Sequence, residues 1–473
     1  MYTKFFRSKA LVLIVCMVFS FATVLSGCKR SLLNPDKPVT ITMWHNYGGQ
    51  MKILMDDLVS EFNRTVGEEE GIIVSVTAIA GSKELHEMLV SSAEKQPGAL
   101  ALPDLTTAYP KTAVLLEQKN LLCDFKEYFS KSELEAYVED FVAEGYLGDE
   151  KLYVFPIAKS TELLFVNRTI FDRFASACGF SIDDLGTFEG ISHAATAYFE
   201  WTDAMTPDIE GDGKAFFMAD SLFNQALVGS RQLGSDFLFE TDEPNTFELD
   251  TRSEAFSQIW DAYFNSAAQG GIAVFDGYSS DLFKTGDLVC AVGSTAGVLY
   301  YPTEVTYSDN TQEAVDYSYL PYPVFEGGDK IALQRGGGMC ITAQSAANRL
   351  AASIFVKWFT APEQNLRFTL SSGYLPVTSE AFEELFETDL SSLTGKPVSE
   401  QLETILYMYE EYQFFFAPYS ENYDALQKNF ETTLRKEVSS VRDQISNQSG
   451  SDTDQSFSGF SDDVLRQLQE GEN

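Results

Sequence analysis

The side chains that could do chemistry here are few and poorly spaced for catalysis. His86-Glu87 opens like the helical zinc-protease motif, but Val90 stands where the second histidine should complete the face. The sequence holds three histidines, His45, His86 and His193, and no motif of a catalytic serine or cysteine accompanies any of them. Asp208, Glu210, Asp212 and Gly213 match the first half of a calcium loop. Ala219 occupies the closing glutamate's position, so the run reads as an acidic surface loop. With 70 acidic side chains, carboxylate pairs are abundant, which keeps a secreted glycoside hydrolase as the rival of another class. Cys123, Cys178, Cys290 and Cys340 are too widely spaced for a metal-type pair. Bridged in full they would allow three connectivities. Their apolar or small neighbours favour buried small hydrophobes instead. No cofactor is implied.

Alternating strand and helix signals must position whatever site there is. Val39-Thr-Ile-Thr-Met-Trp44 alternates and is β-branched, as a strand should be. Gly48-Gly49 breaks it, and 51–63 follows with Leu54, Met55, Leu58, Val59 and Phe62 at helical spacing. Residues 71–79 read as strand, and Ser82 starts a helix with Leu85, Leu89 and Val90 inward. A strand end at 103–105 precedes a short helix at 111–119. Strand character at 152–166 around Pro156 leads into a helix at 169–178. Such units argue for an α/β fold with largely parallel sheets, whose ligands bind beyond the carboxyl ends of strands. The segments that matter are then 45–49, 80–84, 106–110, 158–162, 293–297 and 335–338. Further on, 421–446 is helical, with Leu426, Phe430, Leu434 and Val438 on one face. Residues 447–459 are rich in Ser, Gly, Asp and Gln and read as a surface loop or disordered insert. Residues 461–468 resume a short amphipathic helix. No internal repeat is found.

The 473 residues carry 33 basic and 70 acidic side chains, a net charge of −37, which excludes a non-specific nucleic-acid binder. Hydrophobic content of 44% with 13% aromatics is globular. At roughly 100–200 residues per domain the length suggests two to four domains, or two large lobes. Residues 1–27 hold Lys4, Arg7 and Lys9 and no acid, and 10–27 runs apolar and uncharged, as in a secretory signal. A membrane anchor is the rival, the stretch being a little short of the ~20 residues a span needs. Leu25-Ser26-Gly27-Cys28 resembles the bacterial lipobox, which implies that Cys28 is acylated and that 29–38 is a polar leash.

Several segments in order resemble the family 1 extracellular solute-binding proteins of ABC importers. They are Ile-Thr-Met-Trp-His-Asn-Tyr-Gly-Gly at 41–49, Pro-Asp-Leu at 103–105 and the run 152–167 around Pro156-Ile-Ala-Lys-Ser-Thr. Residues 283–294, Gly336-Gly337-Gly338, 355–364 and Gly-Tyr-Leu-Pro-Val-Thr at 373–378 complete the set, which covers nearly all of 39–441. The resemblance implies an α/β, two-lobed, type II periplasmic-binding-protein-like fold, each lobe a sheet flanked by helices, with the ligand cleft between and hinge closure on binding. It places a lipoprotein signal peptide at 1–27 and the lipidated N-terminus and linker at 28–38. Lobe 1 falls at 39–149 plus 289–334, and lobe 2 at 151–288 plus 335–473, with 447–459 a low-complexity loop. It implies a monomer, lipid-anchored outside the cytoplasmic membrane, that captures a mono- or oligosaccharide for ABC permease subunits and catalyses nothing. The 373–378 run and Trp44-His45 resemble the glycerol-3-phosphate-binding branch as much as the sugar branch, so a polyol phosphate is the alternative ligand.

Site residues follow segment by segment. His45 and Tyr47 end the first strand, facing the cleft or packed inside the lobe. Glu84 matches a glutamate that accepts ligand hydroxyl bonds in the glycerol-phosphate branch; equally, Ser82 as N-cap and Glu84 in the first turn suit a helix start. Tyr109 is a stacking ring. Ser160 and Thr161 match a Ser-Thr pair that touches ligand. Phe223 takes the place of an aromatic platform or is a core ring. Ser294 and Thr295 follow a strand end, Gly337 and Gly338 admit close backbone approach, and Tyr374 closes the cleft from the second lobe. Where the phosphate branch carries an arginine, 420–426 has no Arg or Lys. Lys83, Lys159 and Arg335 lie on cleft segments and could hold an anion, against solvation and pairing with carboxylates.

Overall fold

In strand β1 (Val39–His45) the alternation buries Ile41 and Met43 and leaves Thr40 and Thr42 exposed. Helix α1 (Gly49–Arg64) turns Met51, Met55, Leu58, Val59 and Phe62 onto the same core. The computed structural model describes residues 32–79, 81–147, 150–243, 246–390, 396–420, 422–447 and 453–470. After α1 come β2 (Ile72–Ala78), α2 (Ser82–Ala93), β3 (Leu105–Ala108), α3 (Pro110–Gln118), β4 (Phe155–Ser160) and β5 (Glu162–Asn167). Next are β6 (Phe217–Ala219), α4 (Leu222–Gln232), α5 (Glu254–Gln269), β7 (Cys290–Ser294), β8 (Tyr317–Leu320) and β9 (Arg335–Ile341). Helices α6 (Tyr423–Asn447) and α7 (Thr453–Glu470) follow the intervening C-terminal helices.

Two main sheets result. The first runs β2-β1-β3-β9-β4 and the second β8-β5-β7-β6. The parallel pairing expected to predominate holds for β2-β1-β3 and for β7-β6, whereas β9 is antiparallel to β3 and β4, and β5 is antiparallel to β7 and β8. Each sheet has its own apolar core, one built around Met55, Phe62, Phe125 and Phe155, the other around Phe165, Phe174, Phe217 and Phe256. Every residue of β4 and β5 is buried, the polar Lys159, Ser160, Glu162 and Asn167 at their ends included. Thr161 alone separates them, and the chain passes there from the first sheet to the second. It returns at Gln334, the single residue between the strand Ile331–Leu333 and β9.

Strand pairing reverses the expected membership of two segments. Residues 290–294, placed with lobe 1, pair with β5 in the second sheet, from Ser294 opposite Glu162 to Cys290 opposite Val166. Residues 335–341, placed with lobe 2, pair with β3 and β4 in the first sheet. The 151–160 stretch likewise joins the first sheet through β4. Glycine makes the β9 pairing possible: a Cβ on Gly338 would sit 2.6 Å from the Phe155 carbonyl oxygen.

Other expectations shift at the ends. The leash at 29–38 is docked from Leu33, which is buried in the first core. Gly71 (φ +76°) carries no Cβ where one would lie 2.4 Å from the Asn34 carbonyl. The loop at 447–459 gives way at Thr453 to α7, because Phe460, Val464 and Leu468 continue a four-residue spacing that packs onto the second core. Trp260 Nε1 donates to Ser461 Oγ at 2.7 Å to fix it. Cys123, Cys290 and Cys340 are buried free thiols, but Cys178 is exposed at the last turn of the helix Arg168–Cys178. Cys28 and the 1–27 segment lie outside the described residues. Among those described, no helix is long and apolar enough to cross a membrane.

Candidate functional site

The carboxyl ends of β1, β3, β6 and β7 and the amino ends of β5 and β9 gather where the two sheets meet. Arg335 pairs with Ser160 in register and Glu162 with Ser294, so these residues share that edge. On the first-sheet side a narrow recess is lined by Asn46, Tyr47, His86, Tyr109, Gly337 and Tyr374. Tyr47 lies 6.4 Å from Tyr374 centroid to centroid, edge to face, and both rings pack on Phe368. Burial pushes both phenols well up in pKa, Tyr374 further so beside Tyr109 and Tyr47, so they act as neutral hydroxyls. Asn46 fixes one corner by accepting from Thr107 Oγ1 at 3.0 Å.

On the second-sheet side Arg335 Nη1 donates to Glu162 Oε1 at 2.7 Å, and the same oxygen accepts from Asn224 Nδ2 at 2.8 Å. Glu162 is 3% exposed at its side chain and Arg335 38%. Burial disfavours the charged guanidinium, yet Glu162, with Tyr109, Tyr423 and Asp220 around it, raises the Arg335 pKa. Asp220 follows β6 and accepts from the Ser279 N–H at 2.9 Å. Burial pushes its carboxyl up, against the Ser279 hydrogen bonds. Aromatic rings, a guanidinium and carboxylates on facing edges can bury a ligand's C–H surface and hydrogen-bond its hydroxyls. Among the described residues no three His, Cys, Asp or Glu side chains group to hold a metal.

Residues 57–391 match the family of bacterial extracellular solute-binding proteins. The chain belongs to this family. Solved structures share the architecture at low identity. A cyclic α-maltosyl-1,6-maltose binding protein from Arthrobacter globiformis is 16% identical, with a TM-score of 0.64, over 92% of this chain and 100% of that one. An ABC substrate-binding protein from Listeria monocytogenes in complex with cycloalternan is 15% identical, with a TM-score of 0.65, over 92% and 100%. UgpB from Mycobacterium tuberculosis in complex with glycerophosphocholine is 17% identical, with a TM-score of 0.64, over 91% and 99%. At these identities the likeness is one of two-lobed fold. No curated protein matches the chain.

In this solute-binding protein the residues singled out from sequence divide by location. Tyr47, Tyr109, Gly337 and Tyr374 line the recess together. His45 is fully buried behind it, its Nδ1 accepting from the Tyr47 N–H at 3.2 Å, and burial lowers its pKa to about 4. Thr161 and Thr295 are buried at the crossing and bond each other, the Thr295 N–H donating to the Thr161 carbonyl at 2.9 Å. Ser160 is buried in β4, and half-buried Ser294 ends β7. Gly338 is packed against β4, out of the recess. Phe223 is a core ring among Phe237, Tyr423 and Phe430. Lys83 and Glu84 are exposed, and Glu84 borders a separate groove with Glu87, Met88 and Leu100. Gly81, not Ser82, is the N-cap of α2.

Two of the three cations are neutralised by carboxylates. Lys159 is buried and bonds Glu144 through Nζ, while Arg335 is held by Glu162. Sequence reasoning passed over Glu162, Asn224 and Asp220 as site residues. Glu162 directly follows the Ser160-Thr161 pair, and Asp220 stands one residue past a β-strand end, the position the strand-end rule marks.

Proposed function

We propose that the protein captures a neutral carbohydrate, a mono- or oligosaccharide, in this cleft and presents it, unmodified, to the transmembrane subunits of an ABC permease. The observation that carries the reading is the gathering of Tyr47, Tyr109 and Tyr374 around one recess, with Arg335, held by Glu162, close enough to act electrostatically with Tyr109 and Tyr374. Rings bury the apolar faces of a pyranose, and the polar pair takes its hydroxyls. Neighbouring folds named for maltosyl and cycloalternan ligands support it. The glycerophosphocholine-bound neighbour keeps a polyol phosphate as the competing ligand, and the pairing of Lys159 and Arg335 with glutamates weighs against that ligand. The signal at 1–27 and Cys28 support export and lipid anchoring on the outer face of the cytoplasmic membrane, with the binding unit a monomer.

A thermal-shift screen over neutral oligosaccharides and polyol phosphates tests the reading. A ligand at 100 times its dissociation constant adds about 2.7 kcal/mol to stability, so a sugar hit should raise the Tm without release of reducing ends. A response to polyol phosphates alone, or turnover of the sugar, would overturn it. Cys28→Ser should move the protein from the membrane fraction to the soluble one.

A further inference from the structure

Arg335 has a single carboxylate bond, and what that bond leaves unused decides which ligands the cleft can take. Glu162 Oε1 is consumed twice, by Arg335 Nη1 and Asn224 Nδ2, whereas Glu162 Oε2 and Arg335 Nη2 and Nε make no hydrogen bond among the described residues. The pair therefore keeps an acceptor beside donors, with its charges cancelled. Asp220 adds a second carboxylate, close enough to act electrostatically on Arg335. The neighbouring start of α4 offers no anion site either. Ser221 Oγ accepts from the Asn224 N–H at 3.1 Å, and Glu431 Oε1 accepts from Ser221 Oγ at 2.7 Å and from the Phe223 N–H at 3.3 Å. Glu431 is in turn answered by Arg435 at 3.4 Å. The Phe223 and Asn224 N–H groups are thus already committed, and the donors that Arg335 leaves unused stand beside the Glu162 carboxylate.

We propose that Glu162 is the charge-selectivity residue of this cleft, cancelling Arg335 so that the site takes uncharged polyhydroxylated ligands and rejects phosphorylated ones. This rests on the carbohydrate reading for the ligand's identity and goes beyond it in assigning the rejection to one side chain. A phosphate brought to Arg335 must approach the Glu162 carboxylate and Asp220, and like-charge juxtaposition is an effective way to exclude a partner. A sugar meets no such penalty, since a hydroxyl can donate to Glu162 Oε2 and accept from Arg335 Nη2.

The test compares wild type with Glu162→Gln and Asp220→Asn, titrating each with maltotriose, cycloalternan and glycerol 3-phosphate at low and high salt. Glu162→Gln keeps an oxygen for Asn224 and removes the charge, so glycerol 3-phosphate affinity should rise about tenfold or more, with the gain lost at high salt. Asp220→Asn should give a smaller rise of the same sign, and it serves alone should Glu162→Gln not fold by its melting curve. No gain in either folded variant, or tight salt-sensitive phosphate binding by wild type, overturns the proposal. Wild type that ignores the sugars while Glu162→Gln gains phosphate would sink the carbohydrate reading and leave the selectivity role standing.

Discussion

Lys159 and Glu144 form an ion pair inside the protein, the ammonium contacting Glu144 Oε2 with side-chain exposures of 4% and 8%. Gln334, at the return crossing between the sheets, donates to the same oxygen at 2.6 Å and also to the Asp140 carbonyl. Lys159, on a segment marked for the cleft, is thus paired with a carboxylate at the crossing between the sheets. Breaking the pair with Lys159→Met should cost about 3–5 kcal/mol, because it strands a buried carboxylate. Adding Glu144→Met should restore most of the loss. Urea denaturation of the single and double variants measures both, and equal stabilities of the two would contradict the assignment.

Adjacent glycines should behave differently. A Cβ on Gly338 would meet Val154 Cγ1 at 2.5 Å and the Phe155 carbonyl at 2.6 Å, so Gly338→Ala should destabilise by about 2–3 kcal/mol. At Gly337 the nearest atom is the Ala108 carbonyl oxygen at 3.9 Å, so Gly337→Ala should fold with a near-wild-type Tm while narrowing the recess and weakening ligand binding. Melting curves with and without sugar separate the two effects.

The tyrosines carry the stacking prediction. Tyr109→Ala and Tyr374→Ala should each weaken sugar binding by about tenfold to a hundredfold, as buried aromatic anchors do. Tyr109→Phe should retain much of the affinity, since the ring face is kept. Loss of binding equal to that of the alanine variant would shift the weight onto the hydroxyl.

His45 gives a pH signature. Burial lowers its folded-state pKa from 6.5 to about 4, with Asp56 and Lys52 acting in opposite directions. A depressed pKa means the contribution is complete above pH 6.5 and is lost as the pH falls through about 4, a swing of about 3 kcal/mol. Relative to His45→Gln, wild type should therefore lose stability across that window. Parallel stability–pH curves for the two would show that the histidine does not stay neutral in the fold.

The α/β alternation and the buried face of α1 were legible because local periodicity is a property of short segments, whereas Gly337 and Tyr374 were singled out by family resemblance, Gly337 lying inside β9 and Tyr374 in a loop between helices. The sheet membership of 290–294 and 335–341 was not, because antiparallel pairing across long sequence separations leaves no local trace. Thr161 and Thr295 looked like ligand contacts for the same reason: their mutual hydrogen bond spans 134 residues. Pairing of Lys159 and Arg335 with carboxylates is the reading a chain rich in acids favours, but only the fold shows that the partners are Glu144 and Glu162. Helix α7 is legible from sequence only at 461–468, because polar composition at 447–459 obscures the turns that start it at Thr453.

Calorimetric titration of neutral oligosaccharides into wild type and Arg335→Ala bears most directly on whether the seam between the sheets is a sugar receptor. One molecule should bind per chain and be recovered intact, and heat should vanish in a folded Arg335→Ala protein. Undiminished binding by Arg335→Ala, or recovery of cleaved sugar, would contradict the account.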